Sequence, residues 1–154
     1  MTGSPPPNAA SAGFGRRVAA LLYDGVLLSA LLVVFTSGAV FLNQRTAIDR
    51  TTAGAWVYLY RAGLLGVIAG YYLLNWTRSG QTLGMRAWHL CAVSTAGNSM
   101  SLRAAALRFV FGALAWMPLA LGVLWLYFDP ERLALHDRLS KTRVIHVPRA
   151  KSTR

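Results

Sequence analysis

Two ionisable residues near the start of the chain could carry out chemistry inside a membrane. Arg17 and Asp24 are seven positions apart, and Asp24 lies in a run that is otherwise apolar. In a helix this separation places both side chains on nearly the same face, because seven steps of about 100° return almost to the starting direction. A carboxylate at the centre of a membrane helix costs about 2.5–3.5 kcal/mol on insertion scales. Asp24 therefore needs a compensating partner and is a candidate for ion or proton binding.

The chain that positions these residues has the composition of a membrane protein. Its 154 residues suffice for one domain, and they are 55% hydrophobic and only 14% charged, whereas soluble domains are about 25% charged. The net charge is +11, but the basic residues flank apolar runs. This pattern indicates a bilayer with anionic headgroups as partner and argues against nucleic acid. Cys91 is the single cysteine, so no internal disulfide forms.

Two apolar stretches are long enough to cross about 30 Å of hydrocarbon. The first, from Val18 to Leu42, follows the basic pair Arg16 and Arg17. This order predicts an uncleaved membrane helix whose N-terminus is cytoplasmic. The second, from Ala55 to Trp76, has aromatic residues near both ends, which is typical of the two membrane interfaces.

The second stretch also contains glycines and an arginine that need an explanation. Gly63, Gly66 and Gly70 are spaced by three and four residues, so they share a helix face and allow close approach of another helix. We expect packing against the first helix, and a contact between copies is the alternative. Arg61 is expected to extend to the outer headgroups. Its alternative is an ion pair with Asp24.

The third apolar block, Ala104 to Phe128, carries two conflicting signals. Residues 109–128 suffice for one crossing, which would leave the C-terminus outside. The basic tail that follows Glu131 instead favours a cytoplasmic C-terminus. Pro118 and Gly122, near the middle, are compatible with a broken or re-entrant segment buried in protein. We favour the re-entrant form, with the single crossing as the alternative.

The remaining segments contain no pattern that predicts an enzyme. Residues 78–107 are basic and should be cytoplasmic, with the part around Trp88 in the membrane interface. Asp129-Pro130 has the form of a helix start. No nucleophile with a base, phosphate-binding loop or metal-ligand cluster stands out. We therefore expect neither catalysis, nor a cofactor, nor a metal site.

Several motifs taken in order resemble the RDD family of membrane proteins. They are Gly13-Phe-Gly-Arg-Arg17 with Asp24, Ser79-Gly-Gln-Thr-Leu-Gly-Met-Arg86, Arg108 before the third apolar block, and Leu135-His-Asp-Arg-Leu-Ser-Lys-Thr-Arg-Val144. The family is named for one arginine and two aspartates. By position these match Arg17 (Arg16 is the less favoured choice), Asp24 and Asp137. Lys141 stands where many members have glycine. The resemblance implies transport of some ligand, ion- or proton-coupled, although the family's molecular role is largely unassigned.

The resemblance also suggests that the three signature residues belong together. If the C-terminus is cytoplasmic, Asp137 can approach the inner end of the first helix, where Arg17 lies, while Asp24 is about 10 Å deeper. One guanidinium and two carboxylates could then neutralise Asp24 and fix the helices. In the functional alternative, Asp24 accepts a proton or cation and exchanges partners. Arg108 and His136 are candidates for supporting roles.

The sequence thus predicts an all-α integral membrane protein, a small helical bundle of three apolar segments with the third broken or re-entrant. We expect a disordered tail over 1–13, an RDD-type domain over 14–147 and a basic tail over 148–154. The expected location is the bacterial cytoplasmic (inner) membrane, in contact with further copies or another membrane protein. The predicted function is of transport type. The alternative is a non-catalytic interaction or assembly module with a structural Arg-Asp-Asp cluster.

Overall fold

The computed structural model describes residues 12–43, 54–95, 98–116 and 135–147. The elements in these ranges are α1 (Phe14–Leu42), α2 (Ala55–Ser79), α3 (Leu83–Ala87), β1 (Leu90–Ser94), α4 (Leu102–Trp116), α5 (Leu135–Leu139) and β2 (Thr142–His146). The described chain is therefore mostly helical, with a small sheet that involves residues near its C-terminal end.

Within the described ranges, α1 and α2 are the two helices long and apolar enough to cross a membrane, with 29 and 25 residues. Many of their apolar side chains point outwards: Val26 in α1 is 71% exposed and Leu59 in α2 is 63% exposed. A helix in the core of a soluble protein would bury such residues, and extended exposed apolar surface is typical of contact with a membrane. Both membrane helices expected from the sequence are therefore present.

The third apolar segment is described only in its first part. Its described part is helix α4, from Leu102 to Trp116. Residues 117–134, which include Pro118, Gly122 and the Asp129-Pro130 pair, lie outside the described residues. The re-entrant form of this segment stays a prediction.

The prediction of a helical fold is confirmed for most of the described chain, but the fold is not all-α, because β1 and β2 form an antiparallel two-stranded sheet. The register pairs Leu90 with His146 and Ser94 with Thr142. Each strand has only five residues, and the two are far apart in sequence, so neither shows a hairpin signal. Their pairing satisfies the backbone of a segment that we had expected to lie in the membrane interface.

A left-handed residue introduces β2. Lys141 has φ +52°, a conformation that favours glycine because it has no Cβ. The glycine found here in many members of the family that the sequence resembles would adopt this backbone without strain.

The buried core lies at the end of the bundle where α1 begins. Its members come from every described element except the short α5, and from the segments just before α1 and α4: Ala12, Ala20, Trp76, Met85, Leu90, Ala92, Met100, Ala105 and Val144. Ala12, which we expected in the disordered tail, is buried, and its N–H donates to the carbonyl of Val144 at 2.9 Å. The two ends of the described chain therefore meet at one end of the bundle.

Candidate functional site

Asp137 lies between two arginines. Its Oδ2 accepts a hydrogen bond from Nη1 of Arg17 in α1, and its Oδ1 accepts one from Nη1 of Arg108 in α4. Both contacts are ion pairs, and the Asp137 side chain is 0% exposed. We call Arg17, Asp137 and Arg108 the Arg-Asp-Arg clasp. Because its members come from α1, α4 and α5, it joins three elements that are distant in sequence.

Hydroxyl groups extend the hydrogen bonding of the clasp towards β2. Nη1 of Arg108 also donates to Oγ1 of Thr142 at 2.8 Å, so both hydrogens of this nitrogen are used. Oγ1 of Thr142 and Oγ of Ser140 are 2.8 Å apart, and Ser140 donates to the carbonyl of Asp137 at 3.4 Å. Buried charges are stable in proteins when they are paired and hydrogen-bonded in this way.

Arg17 also ties the segment before α1 to β2. Its Nε donates to the carbonyl of Ala12 at 3.0 Å, and its Nη2 lies 3.5 Å from the carbonyl oxygen of Val144. The N–H of Ala12 donates to that same carbonyl. One guanidinium therefore contacts Asp137, β2 and its own helix start, which suits its planar set of donors.

Asp24 has a separate set of partners, all of them uncharged. Its Oδ1 accepts hydrogen bonds from the hydroxyl of Tyr71 at 2.6 Å and from the backbone N–H of Gly84 at 2.8 Å. Its Oδ2 accepts one from the hydroxyl of Thr82 at 2.5 Å. Hydrogen bonds to charged groups contribute about 1.5–3 kcal/mol each. Three of them can offset an insertion cost of about 2.5–3.5 kcal/mol without a cation.

The contact between α3 and α1 depends on Gly84. A Cβ at this position would lie 2.1 Å from the carbonyl oxygen of Ala20 and 2.9 Å from Cγ of Asp24. Only glycine can bring its N–H this close to the carboxylate. Thr82 caps the same helix, because its Oγ1 accepts from the N–H of Met85 at 3.2 Å while its hydroxyl donates to Asp24.

Asp24 and the clasp arginines line one cavity of about 450 Å³ between α1, α2 and α4. Arg17 and Arg108 lie on its wall together with Asp24 and Thr82. Most of the other described lining residues are apolar. A ligand in this cavity would therefore have access to a buried acid and to two guanidinium groups.

The single Arg-Asp-Asp cluster expected from the sequence is thus divided in two. Arg17 and Asp137 are together, as expected, but neither of the two ion pairs among the described residues involves Asp24. The physical reason is that α3 packs against α1 and supplies hydrogen-bond donors to the carboxylate of Asp24. This carboxylate therefore does not need an arginine as its partner. Arg108, expected only as a supporting residue, is the second arginine of the clasp.

Neither of the two remaining candidate arginines belongs to the clasp or to the group around Asp24. Arg61 is exposed and forms no ion pair with Asp24, so this alternative is excluded. Arg16 is exposed in the first turn of α1, next to Arg17. His136 lies in α5, and its side chain is outside the described set. The remaining candidates are the three glycines of α2.

Only one of these glycines packs as we expected. A Cβ at Gly63 would lie 2.4 Å from the ring of Phe35, so this glycine lets α1 approach α2. A Cβ at Gly66 or Gly70 would have no atom of another element within 4 Å. The face formed by these two residues is therefore not used for packing among the described residues.

Three residues that hold Asp24 were missed. Tyr71 was counted only among the aromatic residues near the end of the second apolar stretch. Thr82 and Gly84 were named only within the Ser79–Arg86 motif, which was not expected to bind phosphate. Their signal was present in the spacing of the Ser79–Arg86 motif, which lies directly after a membrane helix. In a polar, glycine-containing turn so close to the hydrocarbon, the buried N–H and O–H groups need hydrogen-bond acceptors.

Two titratable groups outside the membrane helices have shifted pKa values. Burial raises the pKa of the Cys91 thiol, which favours its neutral form. Partial burial and the positive charges of Arg16 and His89 lower the pKa of His146. In the described part of the chain, no group of three or more His, Cys, Asp or Glu residues could hold a metal ion.

Comparison with known proteins places this arrangement in a family. No curated protein and no solved structure matches the chain. The family model described as "RDD family" matches residues 11–141, which is most of the chain and includes Arg17, Asp24 and Asp137. The apolar helices α1 and α2 agree with this match, because the family consists of membrane proteins. The chain therefore belongs to the RDD family of membrane proteins.

Proposed function

We propose that this protein is of transport type, that Asp24 binds and releases a proton or a small cation, and that the Arg-Asp-Arg clasp is structural. One observation carries the proposal. Asp24 is 2% exposed and lines the cavity, and its partners in the described structure are uncharged donors. A buried carboxylate whose charge is not fixed by an arginine can gain or lose a proton or cation without breaking an ion pair.

Asp137 is less suited to this role. Protonation of its carboxylate would leave the guanidiniums of Arg17 and Arg108 buried without a counter-charge. Removing one partner of a buried ion pair costs about 3–5 kcal/mol. The clasp is therefore expected to stay ionised throughout, and to hold α1, α4 and α5 in place while Asp24 changes its state.

The proposal includes an orientation in the cytoplasmic (inner) membrane of a bacterium. Exposed basic residues are concentrated at the end of the bundle that contains the clasp: Arg16, Arg78, Arg86, Arg103, Arg138 and Lys141. The positive-inside rule makes this end cytoplasmic, next to anionic headgroups. Residues 12–17 and 135–147 meet there, which supports a third segment that enters and returns on one side.

A second candidate function is a non-catalytic assembly module. Its support is the glycine face of α2, where Gly66 and Gly70 leave open space that a helix of another copy could enter. Assembly is also compatible with transport. Two described crossing helices per chain are few for a transport pathway, so several copies would be needed to form one. Flux measurement separates a transporter from a module that only assembles.

The test is proton or sodium flux into liposomes that contain the purified protein. The wild type should show flux, and Asp24→Asn should abolish it while remaining folded in detergent. The amide is isosteric: its carbonyl can accept from Tyr71 and Gly84, and its NH₂ can donate to Thr82. Absence of wild-type flux, or full flux in Asp24→Asn, would overturn the proposal.

A matched variant separates function from folding. Asp137→Asn makes the same chemical change in the clasp, and we expect it to reduce folding in detergent. If Asp24→Asn instead unfolds the protein to the same extent, Asp24 is structural and the assembly module is favoured.

A further inference from the structure

We propose that the cavity between α1, α2 and α4 binds an acidic amphiphile with a single hydrocarbon chain. Its anionic head would lie at Arg108 and Trp76, and its chain would lie along the apolar wall. This inference does not depend on the proposed transport, because a lipid-like ligand can bind whether or not the protein conducts ions.

The first support is a pair of buried N–H donors that lack an acceptor. Trp76 is 9% exposed and Arg108 is 5% exposed, and both line the cavity. Within the described part of the structure, neither Nε1 of Trp76 nor Nε of Arg108 has a hydrogen-bond partner. Buried donors are rarely left unsatisfied in proteins. An anion in the cavity would provide the acceptor oxygens.

The two donors belong to adjacent side chains. The guanidinium carbon of Arg108 lies 5.2 Å from the centroid of the Trp76 ring, a cation–π contact. The ring and the guanidinium therefore form one recognition surface with two N–H groups.

The second support is the local charge. The clasp contains two guanidiniums and one carboxylate, so it carries a net positive charge beside the cavity. Both oxygens of Asp137 are already bonded to arginine, and both oxygens of Asp24 accept from its own donors. Although the charge of Asp24 on the same wall balances the formal total, Asp137 is shared by two arginines, so the guanidinium of Arg108 is only partly neutralised and favours an anion beside it.

The third support is the shape and lining of the remaining wall. Apart from the two arginines, Asp24 and Thr82, the described lining is mostly apolar and includes Leu65, Ile68, Phe109, Gly112 and Ala113. In α2, Leu65 is eleven residues from Trp76, or about 16 Å along the helix axis. A volume of about 450 Å³ is in the range of pockets for one small ligand. One extended chain suits this space, and a bulky two-chain lipid does not.

The test is native mass spectrometry of the purified chain in a neutral detergent with added amphiphiles. Hexadecanoate and hexadecyl phosphate should bind at one molecule per chain. Methyl hexadecanoate has the chain without the charge, and acetate and inorganic phosphate have the charge without the chain; all three should bind at least about tenfold more weakly. Hexadecyltrimethylammonium tests the sign of the charge and should not bind.

Two variants test the location, with one matched control. Trp76→Phe keeps the ring and removes one donor, so binding of hexadecanoate should weaken about tenfold. At Gly112 a Cβ meets no other atom, so Gly112→Leu should fill the cavity and block binding. Gly38→Leu makes the same change at an exposed position of α1 outside the cavity and should bind like the wild type.

Several outcomes would overturn the proposal. Equal binding of the methyl ester or the ammonium compound would show that charge is not recognised. Binding of inorganic phosphate without need of a chain would indicate a simple anion site. No binding of any amphiphile would assign the cavity to a protein segment or another copy. Normal binding in Gly112→Leu would place the amphiphile elsewhere.

Discussion

At the scale of single residues, the two aspartates of the family signature lie in opposite electrostatic environments. Asp137 has a guanidinium on each oxygen, whereas Asp24 has hydroxyl and backbone donors. The first arrangement fixes the carboxylate as an anion, since its protonation would leave two buried cations. The second stabilises the carboxylate without tying it to another charge. The two residues therefore suit different roles despite their identical chemistry.

The clasp predicts a large difference between two arginine substitutions. Arg108→Gln should lower the free energy of unfolding by about 3–5 kcal/mol, because it breaks a buried ion pair and leaves Thr142 without its donor. Arg61→Gln removes an exposed arginine and should change it by less than about 0.5 kcal/mol. Unfolding in detergent micelles, followed by circular dichroism, measures both. Equal effects of the two substitutions would contradict a structural clasp.

At the scale of elements, the short helix α3 connects the membrane helices to the sheet. Gly80 ends α2 in a left-handed conformation, and its carbonyl accepts from the N–H of Ala92 in β1 at 2.7 Å. Two residues later Thr82 begins α3, and Gly84 brings that helix onto α1. Two of the three donors for Asp24, Thr82 and Gly84, are thus positioned by a segment that hydrogen bonds and packing fix at both ends.

The close contact of α3 with α1 makes Gly84→Ala disruptive. The added methyl group would overlap the carbonyl of Ala20, so α3 must shift and the hydrogen bond from the N–H to Asp24 should be lost. We expect destabilisation of about 1–3 kcal/mol, the range for overpacking.

The matched control is Gly25→Ala in α1, where a Cβ meets no other atom. This substitution should stabilise the helix by about 0.5–1 kcal/mol, since alanine loses less backbone entropy than glycine. Thermal unfolding of both variants in the same detergent gives the comparison. A neutral Gly84→Ala would mean that α3 does not approach α1 as closely as in the structure.

At the scale of the whole molecule, both ends of the described chain lie at one end of the helix pair. The contact between Ala12 and β2 and the ion pair between Arg17 and Asp137 both require this arrangement. If α1 and α2 cross the bilayer, this arrangement predicts an even number of crossings between residues 17 and 135. Helices α1 and α2 account for two crossings if the third apolar block returns to the side on which it started.

This topology predicts that reporters at the two ends of the chain lie on the same side of the membrane. A fluorescent protein that folds only in the cytoplasm should be bright when fused before Met1 and also when fused after Arg154. A phosphatase that is active only outside should be inactive at both positions, and it should be active when inserted between Asn43 and Gly54. Activity after Arg154 would separate Asp137 from Arg17 and would contradict the clasp.

The sequence by itself determined the parts of this protein that depend on local composition. Apolar runs of sufficient length define α1 and α2, because hydrocarbon tolerates only helices whose backbone is satisfied internally. The cost of Asp24 in such a run also marks it as a residue that needs partners. The resemblance to the family, carried by Arg17, Asp24, Asp137 and the motif that ends at Arg86, agrees with the family match over residues 11–141.

Only the tertiary structure decided which groups meet. The pairing of β1 with β2 and the contact of Arg108 with Asp137 join residues far apart in sequence, and local periodicity contains no information on such contacts. The donors to Asp24 come from the end of α2 and from a turn that folds back, and only the fold brings them to the carboxylate. Arg17 and Asp24, which helical spacing placed on one face, are therefore bound to different partners: Arg17 to a distant aspartate, and Asp24 to the turn that follows the second membrane helix.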